Sequence, residues 1–184
     1  MKKTEYEARV LDINHDELVK KLKSLGAELI FDQVQSRMVY DLIPKQENKW
    51  IRLRTNGLTT TLTIKDLEAK TIDGTKELEI EVSDFHTTNE ILETLGFHNR
   101  GFQQNKRTQY NLNGVEVDLD KWPLIPEYLE VEGKSEKEVY DCLEKLGFNK
   151  NQIVTLDVSS IYTHYGYDGD NLGNLNFEME ENKK

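Results

Sequence analysis

Charged residues two positions apart recur along this sequence, and each group carries one sign. Glu5/Glu7, Asp118/Asp120 and Glu130/Glu132 are acidic, Arg52/Arg54 is basic, and Glu77, Glu79 and Glu81 form an acidic triplet. On a β-strand, residues two apart point the same way, about 6.6 Å apart along the chain. Each acidic pair therefore offers two carboxylates to one face. Hard divalent cations such as Mg²⁺ take such ligands, with water and substrate phosphate completing the shell. Arg52 and Arg54 offer two guanidinium forks suited to bidentate phosphate contacts. Lys65, Arg9 and Arg107 add positive charge to the same chamber.

A single charged strand face is ordinarily the solvated side of an antiparallel sheet. Solvated faces, however, mix Thr, Lys, Glu, Ser and Gln, whereas here some strands are all acid and another all arginine. Signs segregated by strand point to partners facing one another across a closed interior.

The elements that would position these groups are legible in the periodicity. Strict alternation predicts strands over Thr4–Leu11, Trp50–Arg54, Leu58–Lys65, Lys76–Val82, Val115–Asp120 and Tyr128–Glu132, with weaker candidates at Gln35–Leu42 and Lys106–Leu112. The apolar partners Val10, Leu53, Ile80 and Val131 are then expected to lie under helices. Helical spacing appears over Asn14–Leu25, Thr87–Leu95 and Ser135–Leu146. Each opens with a cap-like residue followed three later by Glu (Asn14/Glu17, Thr87/Glu90, Ser135/Glu138). Each closes on Leu-Gly, at Gly26, Gly96 or Gly147. Leucine-bearing helices among many antiparallel strands predict an α+β fold with helices outside the sheet. The polar segment Asp66–Thr75 reads as a mobile connection, and Trp122–Pro126 as a rigid one or one rim of a pocket. The stretch from Thr163, rich in Asp, Asn, Gly and Glu, reads as loop.

Composition narrows the function. The 184 residues are 36% hydrophobic and 32% charged, with a formal charge of −10. That balance argues against nucleic acid or an anionic membrane as partner, since both need a basic surface. No apolar run is long enough to span a bilayer, and none follows Lys2-Lys3 as a signal peptide would require. The cytoplasm is the default compartment. Cys142 lies among apolar helix positions and reads as core filler. His15, His86, His98 and His164 show no ligand spacing.

Glu5-Tyr-Glu7-Ala-Arg9 resembles the E-x-E-x-K signature of the CYTH superfamily, the triphosphate tunnel metalloenzymes. That superfamily includes class IV adenylyl cyclases, thiamine triphosphatases and inorganic triphosphatases. The resemblance continues in order through Tyr40-Asp41, Arg52-Leu-Arg54, Thr63-Ile-Lys65, Glu79-Ile-Glu81, Arg107 with Tyr110, Asp120, Tyr128-Leu-Glu130-Val-Glu132-Gly and Ser159-Ser-Ile-Tyr162. It implies an eight-stranded antiparallel barrel, a tunnel with a charged interior, in one domain over residues 1–165, followed by an acidic polar tail, 166–184. It implies Mg²⁺ or Mn²⁺ on Glu5, Glu7, Glu130 and Glu132, with Asp120 as a further ligand. Arg52, Arg54, Lys65 and Arg107 would line the triphosphate path, Glu79 and Glu81 would face the same interior, and Glu5, Glu7 and Arg9 would serve the chemistry. Two positions depart from the pattern. Arg9 stands where the family has Lys and, staying protonated, orients or neutralises rather than acting as a base. Asn105 stands where the family often has Lys, with Lys106 expected to face the other way. The expected activity is hydrolysis of the terminal phosphate of a nucleoside, thiamine or inorganic triphosphate. Adenylyl cyclase and a non-catalytic polyphosphate- or nucleotide-binding module are the alternatives. The expected partner is a small-molecule triphosphate, with a homodimer left open.

Overall fold

The computed structural model describes residues 2–178. From β1 (Lys3–Val10) the chain enters α1 (His15–Ser24), then β2 (Glu28–Asp41), β3 (Lys49–Thr55), β4 (Thr60–Leu67) and β5 (Thr75–Val82). After α2 (Phe85–Thr94) come β6 (Asn99–Leu112), β7 (Val115–Lys121) and β8 (Tyr128–Gly133). The chain continues through α3 (Glu136–Leu146), a short β9 (Ile153–Val154) and α4 (Val158–His164). Strand order is β5-β4-β3-β2-β6-β7-β8-β1, and β5 pairs again with β1, so eight antiparallel strands close into a barrel. The α+β fold with helices outside is therefore as expected. The closing contact is short, Lys3–Glu5 against Thr75–Glu77, and closure divides the strands into an inner and an outer face.

The helix signals hold at both ends, with one shift. Asn14 and Ser135 cap α1 and α3 by accepting from the amides of Glu17 and Glu138. The second helix instead starts at Phe85, and Asp84 is its cap, accepting from the Thr87 amide. A carboxylate next to an apolar residue won over the Thr87/Glu90 pairing because Phe85 is buried and belongs to the helix face. After each helix Gly26, Gly96 and Gly147 take positive φ, where a side chain would be strained.

The outer faces form two apolar cores. Ala8, Val10, Val117, Leu119, Leu129 and Val131 pack under Leu18 and Leu22 of α1 and Val139, Cys142 and Leu143 of α3. Burial pushes the Cys142 thiol up to about 11, consistent with a filler role. Tyr40, Ile51 and Leu53 pack under Phe85 and Leu92 of α2. Val10, Leu53 and Val131 thus lie where expected. Ile80 does not: it is 58% exposed and its neighbour Leu78 46%, because no helix covers the outside of β5.

Two connections are better ordered than their composition implied. In the Asp66–Thr75 stretch, Ile72 is buried and its carbonyl accepts from the Glu7 amide at 2.9 Å. Past α4, the chain returns to the barrel: the Leu175 amide donates to the Phe102 carbonyl at 2.9 Å, and the Leu175 carbonyl accepts from Gln104 at 2.8 Å. Leu175 joins Trp122, Ile125, Tyr128, Ile161 and Tyr162 in a third core. The last part of the acidic tail, 179–184, lies outside the described residues.

Candidate active site

The inner faces enclose a cavity of about 850 Å³. Its size suits a small molecule, but its lining is charged where most ligand sites are apolar. Alternation sends Glu5, Glu7 and Arg9 of β1 inward, with Arg52 and Arg54 of β3, Lys65 of β4, Glu77 and Glu79 of β5, Arg107 of β6, and Glu130 and Glu132 of β8. Register aligns them in rows. Glu116, Glu132 and Glu7 lie abreast on β7, β8 and β1, and the next row is Asp118, Glu130 and Arg9. Round the barrel, β3 lies opposite β8, so Arg52 and Arg54 face that carboxylate wall.

Most of the cations on the acidic side are already neutralised. Arg9 donates to Glu130 through Nε at 2.7 Å, to Glu7 through Nη2 at 2.9 Å, and to the Leu156 carbonyl through Nη1 at 2.8 Å. Arg107 pairs with Asp118, with Asp120 at 2.5 Å and with Glu130 at 3.0 Å. Burial opposes ionisation of Glu130, but Arg9 and Arg107 together hold it well below the usual carboxylate range. Lys65 bridges Glu5 at 3.1 Å and Glu77 at 2.5 Å. Burial, with the charges of Glu77 and Glu7, pushes Glu5 up to about 8 despite Lys65. Glu77, also buried, is pulled down to about 2 by Lys65 and Arg52.

The arginine wall is different. Arg52 reaches Glu77 and Glu79 only at 3.5 Å, and its buried Nε has no acceptor. Among the described residues Arg54 makes no hydrogen bond or ion pair; repulsion from Arg52, then burial, lowers it to about 10. Two guanidiniums with unfilled donors opposite a carboxylate row are arranged for an anion bridged to a cation.

The family model of the CYTH domain matches residues 2–161. The chain belongs to the CYTH family. No functionally curated protein matches it in sequence. Among solved structures it is similar to the PH1012 protein of Pyrococcus horikoshii OT3, at 24% identity and TM-score 0.74, covering 85% of this chain and 98% of that one. A putative adenylate cyclase of Vibrio parahaemolyticus shares 15% identity at TM-score 0.76, over 89% of this chain and 99% of that one. The putative adenylyl cyclase HpAC1 of Hippeastrum shares 15% at TM-score 0.58, over 91% and 97%. These likenesses establish the shared barrel.

Within this CYTH barrel the residues expected from sequence separate into groups. Glu5, Glu7, Arg9, Arg52, Arg54, Lys65, Glu79, Arg107, Glu130 and Glu132 all line the cavity. Asp120 does not: fully buried, it accepts from Asn105 at 3.0 Å and from Arg107 at 2.9 and 2.5 Å, so it holds Arg107 rather than facing the cavity. Glu81 is exposed and absent from the lining, because β5 has left the cavity by that point. Asn105 spends its amide on Asp120, and Lys106 faces outward to Asp32 at 3.1 Å.

Glu77, Glu116 and Arg37, to which the sequence pattern gave no site role, also line the cavity. Glu77 and Glu116 were visible as same-face neighbours of Glu79 and Asp118. Arg37 gave little signal, since its strand alternates polar and apolar residues poorly. Trp122 serves both readings of its connection, packing in a core and lining the cavity.

Among the described residues no three His, Cys, Asp or Glu side chains are gathered tightly enough to enclose an ion. The donor chemistry nonetheless fits Mg²⁺ or Mn²⁺. Glu7, Glu132 and Glu116 are adjacent across strands, and burial followed by the Glu116 charge raises Glu132. Such crowding is relieved by a divalent cation, and Mg²⁺ binds through one or two carboxylates while keeping waters and substrate oxygens.

Proposed function

We propose that this CYTH protein is a metal-dependent triphosphatase that removes the terminal phosphoryl group of a linear triphosphate, whether nucleoside, thiamine or inorganic. The observation that carries this reading is the split interior: unfilled guanidiniums on β3 face carboxylates on β1, β7 and β8. Glu7 and Glu132, with Glu116, would hold Mg²⁺ or Mn²⁺, which when bound polarises phosphoryl oxygens and lowers the pKa of water. Arg52 and Arg54 bind the phosphate chain and balance the negative charge that spreads during transfer. Arg9 stays protonated and fixes Glu7 and Glu130; Lys65 and Arg107 hold the remaining carboxylates. Water oxygen bonds to the terminal phosphorus, the bond from that phosphorus to the bridging oxygen breaks, and orthophosphate leaves beside the diphosphate.

The test is incubation with Mg²⁺ or Mn²⁺ and, in turn, tripolyphosphate, thiamine triphosphate and ATP, with products identified by chromatography. Orthophosphate and the matching diphosphate are expected. Cyclic AMP with pyrophosphate would replace this reading by a cyclase. Binding without turnover would leave a non-catalytic module.

A further inference from the structure

Arg37 has no assigned part in this site, yet it has the marks of a ligand-binding group. It sits on β2 directly across from Arg54 of β3, in the strand pairing that also sets Val39 against Arg52. Like charges at directly opposite positions destabilise a sheet unless something neutralises them. Among the described residues no carboxylate forms an ion pair with either arginine. Arg37 donates through Nε at 3.0 Å and Nη2 at 2.8 Å to one acceptor, the side-chain oxygen of Gln103, which is neutral. Its guanidinium lies 4.3 Å from the ring centroid of Trp122. The fork is thus fixed in orientation by an amide and an aromatic face, and among the described residues no carboxylate bonds to it.

The surroundings are short of acceptors. Among the described residues, the buried indole Nε1 of Trp122 has no hydrogen-bond partner, and neither has the buried Nε of Arg52. Arg54 has none among the described residues. Burial and then Arg52 lower Arg37 to about 10, so the cluster is electrostatically strained as it stands. Donors on Arg37, Arg52, Arg54 and Trp122 gathered on one wall, with no carboxylate bonded to Arg37 or Arg54, describe a site completed by a polyanion.

We infer that Arg37 is a direct phosphate-binding residue, forming with Arg54 a two-guanidinium clamp on the triphosphate chain, with Gln103 and Trp122 as its positioning residues. The inference rests on the triphosphate reading above and shifts its anion site. Arg107 and Lys65, which the sequence pattern puts on the phosphate path, have their charge taken up by carboxylates, and Arg37 takes their place as a free cation. The ligand class is a linear polyphosphate or the phosphate chain of an organic triphosphate, since both present the same oxygens.

The test is direct binding of tripolyphosphate to the full chain in EDTA, followed by titration calorimetry, with melting temperatures recorded without ligand. Arg37→Gln and Arg37→Met should each weaken binding about tenfold to a hundredfold, the value of a charge-assisted contact, while the ligand-free melting temperature holds or rises. A purely structural Arg37 would give the opposite pair of results, a lower melting temperature and wild-type affinity, and that would overturn the inference. Should neither variant fold, Arg37→Lys decides: loss of the fork should weaken binding at least about threefold, and wild-type affinity would refute the clamp. A wild-type chain that binds no tripolyphosphate either in EDTA or with Mg²⁺ would remove the triphosphate reading itself, an outcome distinct from equal affinities; binding seen only with Mg²⁺ moves the same comparison of variants to Mg²⁺.

Discussion

The two halves of the barrel solve different problems. On β1, β6, β7 and β8 the outside packs largely under α1 and α3, and inside both Arg9 and Arg107 are paired with carboxylates. Among the described residues, only α2 packs outside β2, β3, β4 and β5, Leu78 and Ile80 stand exposed, and the arginines of β2 and β3 lack close acid partners. In the first half the buried charges are neutralised from within. The second is left electrostatically incomplete, which is the condition for binding an anion. Charge inside a barrel therefore has two meanings, scaffold and receptor, and the difference is whether the partner is already present.

The largest effect should come from breaking the paired half. Arg107→Gln leaves Asp118, Asp120 and Glu130 without their shared cation, and should cost about 3–5 kcal/mol in urea unfolding. Arg54→Gln should be within about 0.5 kcal/mol of wild type or more stable, because it removes repulsion. Equal losses in the two variants would erase the distinction between the halves.

The outer faces give a second contrast of slightly smaller size. Leu143→Ala, in the sealed core, should lose about 2–5 kcal/mol. Ile80→Ala should change thermal stability by no more than about 0.5 kcal/mol, since the side chain already meets solvent. A large loss at Ile80 would show that its face is covered in solution.

Protonation sharpens the comparison further. The folded state holds Glu5 at about 8, above the ordinary carboxyl value of 4.5, so it retains a proton that the unfolded chain releases. Stability without metal should therefore fall as pH rises from about 5 to 8. Glu77, held at about 2, acts in the other sense but only below that window. Glu5→Gln should flatten the slope, by on the order of 2 kcal/mol across the range. An unchanged profile in calorimetric melts would show that Glu5 is ionised throughout.

The smallest expected change is at Glu132. Glu132→Gln relieves crowding with Glu116 and should leave the metal-free protein unchanged or stabilised by up to about 1 kcal/mol, while weakening Mn²⁺ binding measured by calorimetry. Glu130→Gln should behave unlike it and lower stability, because Arg9 and Arg107 both depend on that carboxylate. Matching behaviour of the two variants would mean that the carboxylate row is uniform.

The sequence by itself determined which residues of each strand share a face. Period-two alternation assigns one face to every second residue of a strand, so Glu5 with Glu7, Arg52 with Arg54, and Glu130 with Glu132 had to point the same way whatever the fold closed around. It also determined the ends of α1 and α3, since Asn14, Ser135 and the following glycines act on their own neighbours. Tertiary structure decided what each inward charge does. Arg52 and Arg107 are alike in sequence as basic residues on alternating strands. Strand order sets Arg107 beside Asp118, Asp120 and Glu130, and sets Arg54 beside Arg37. It also gave the outside of β5 no helix, which left Ile80 in solvent. The reason is physical: alternation is a local property of the backbone, whereas neutralisation depends on groups that come from strands far apart in the chain and meet only when the barrel closes.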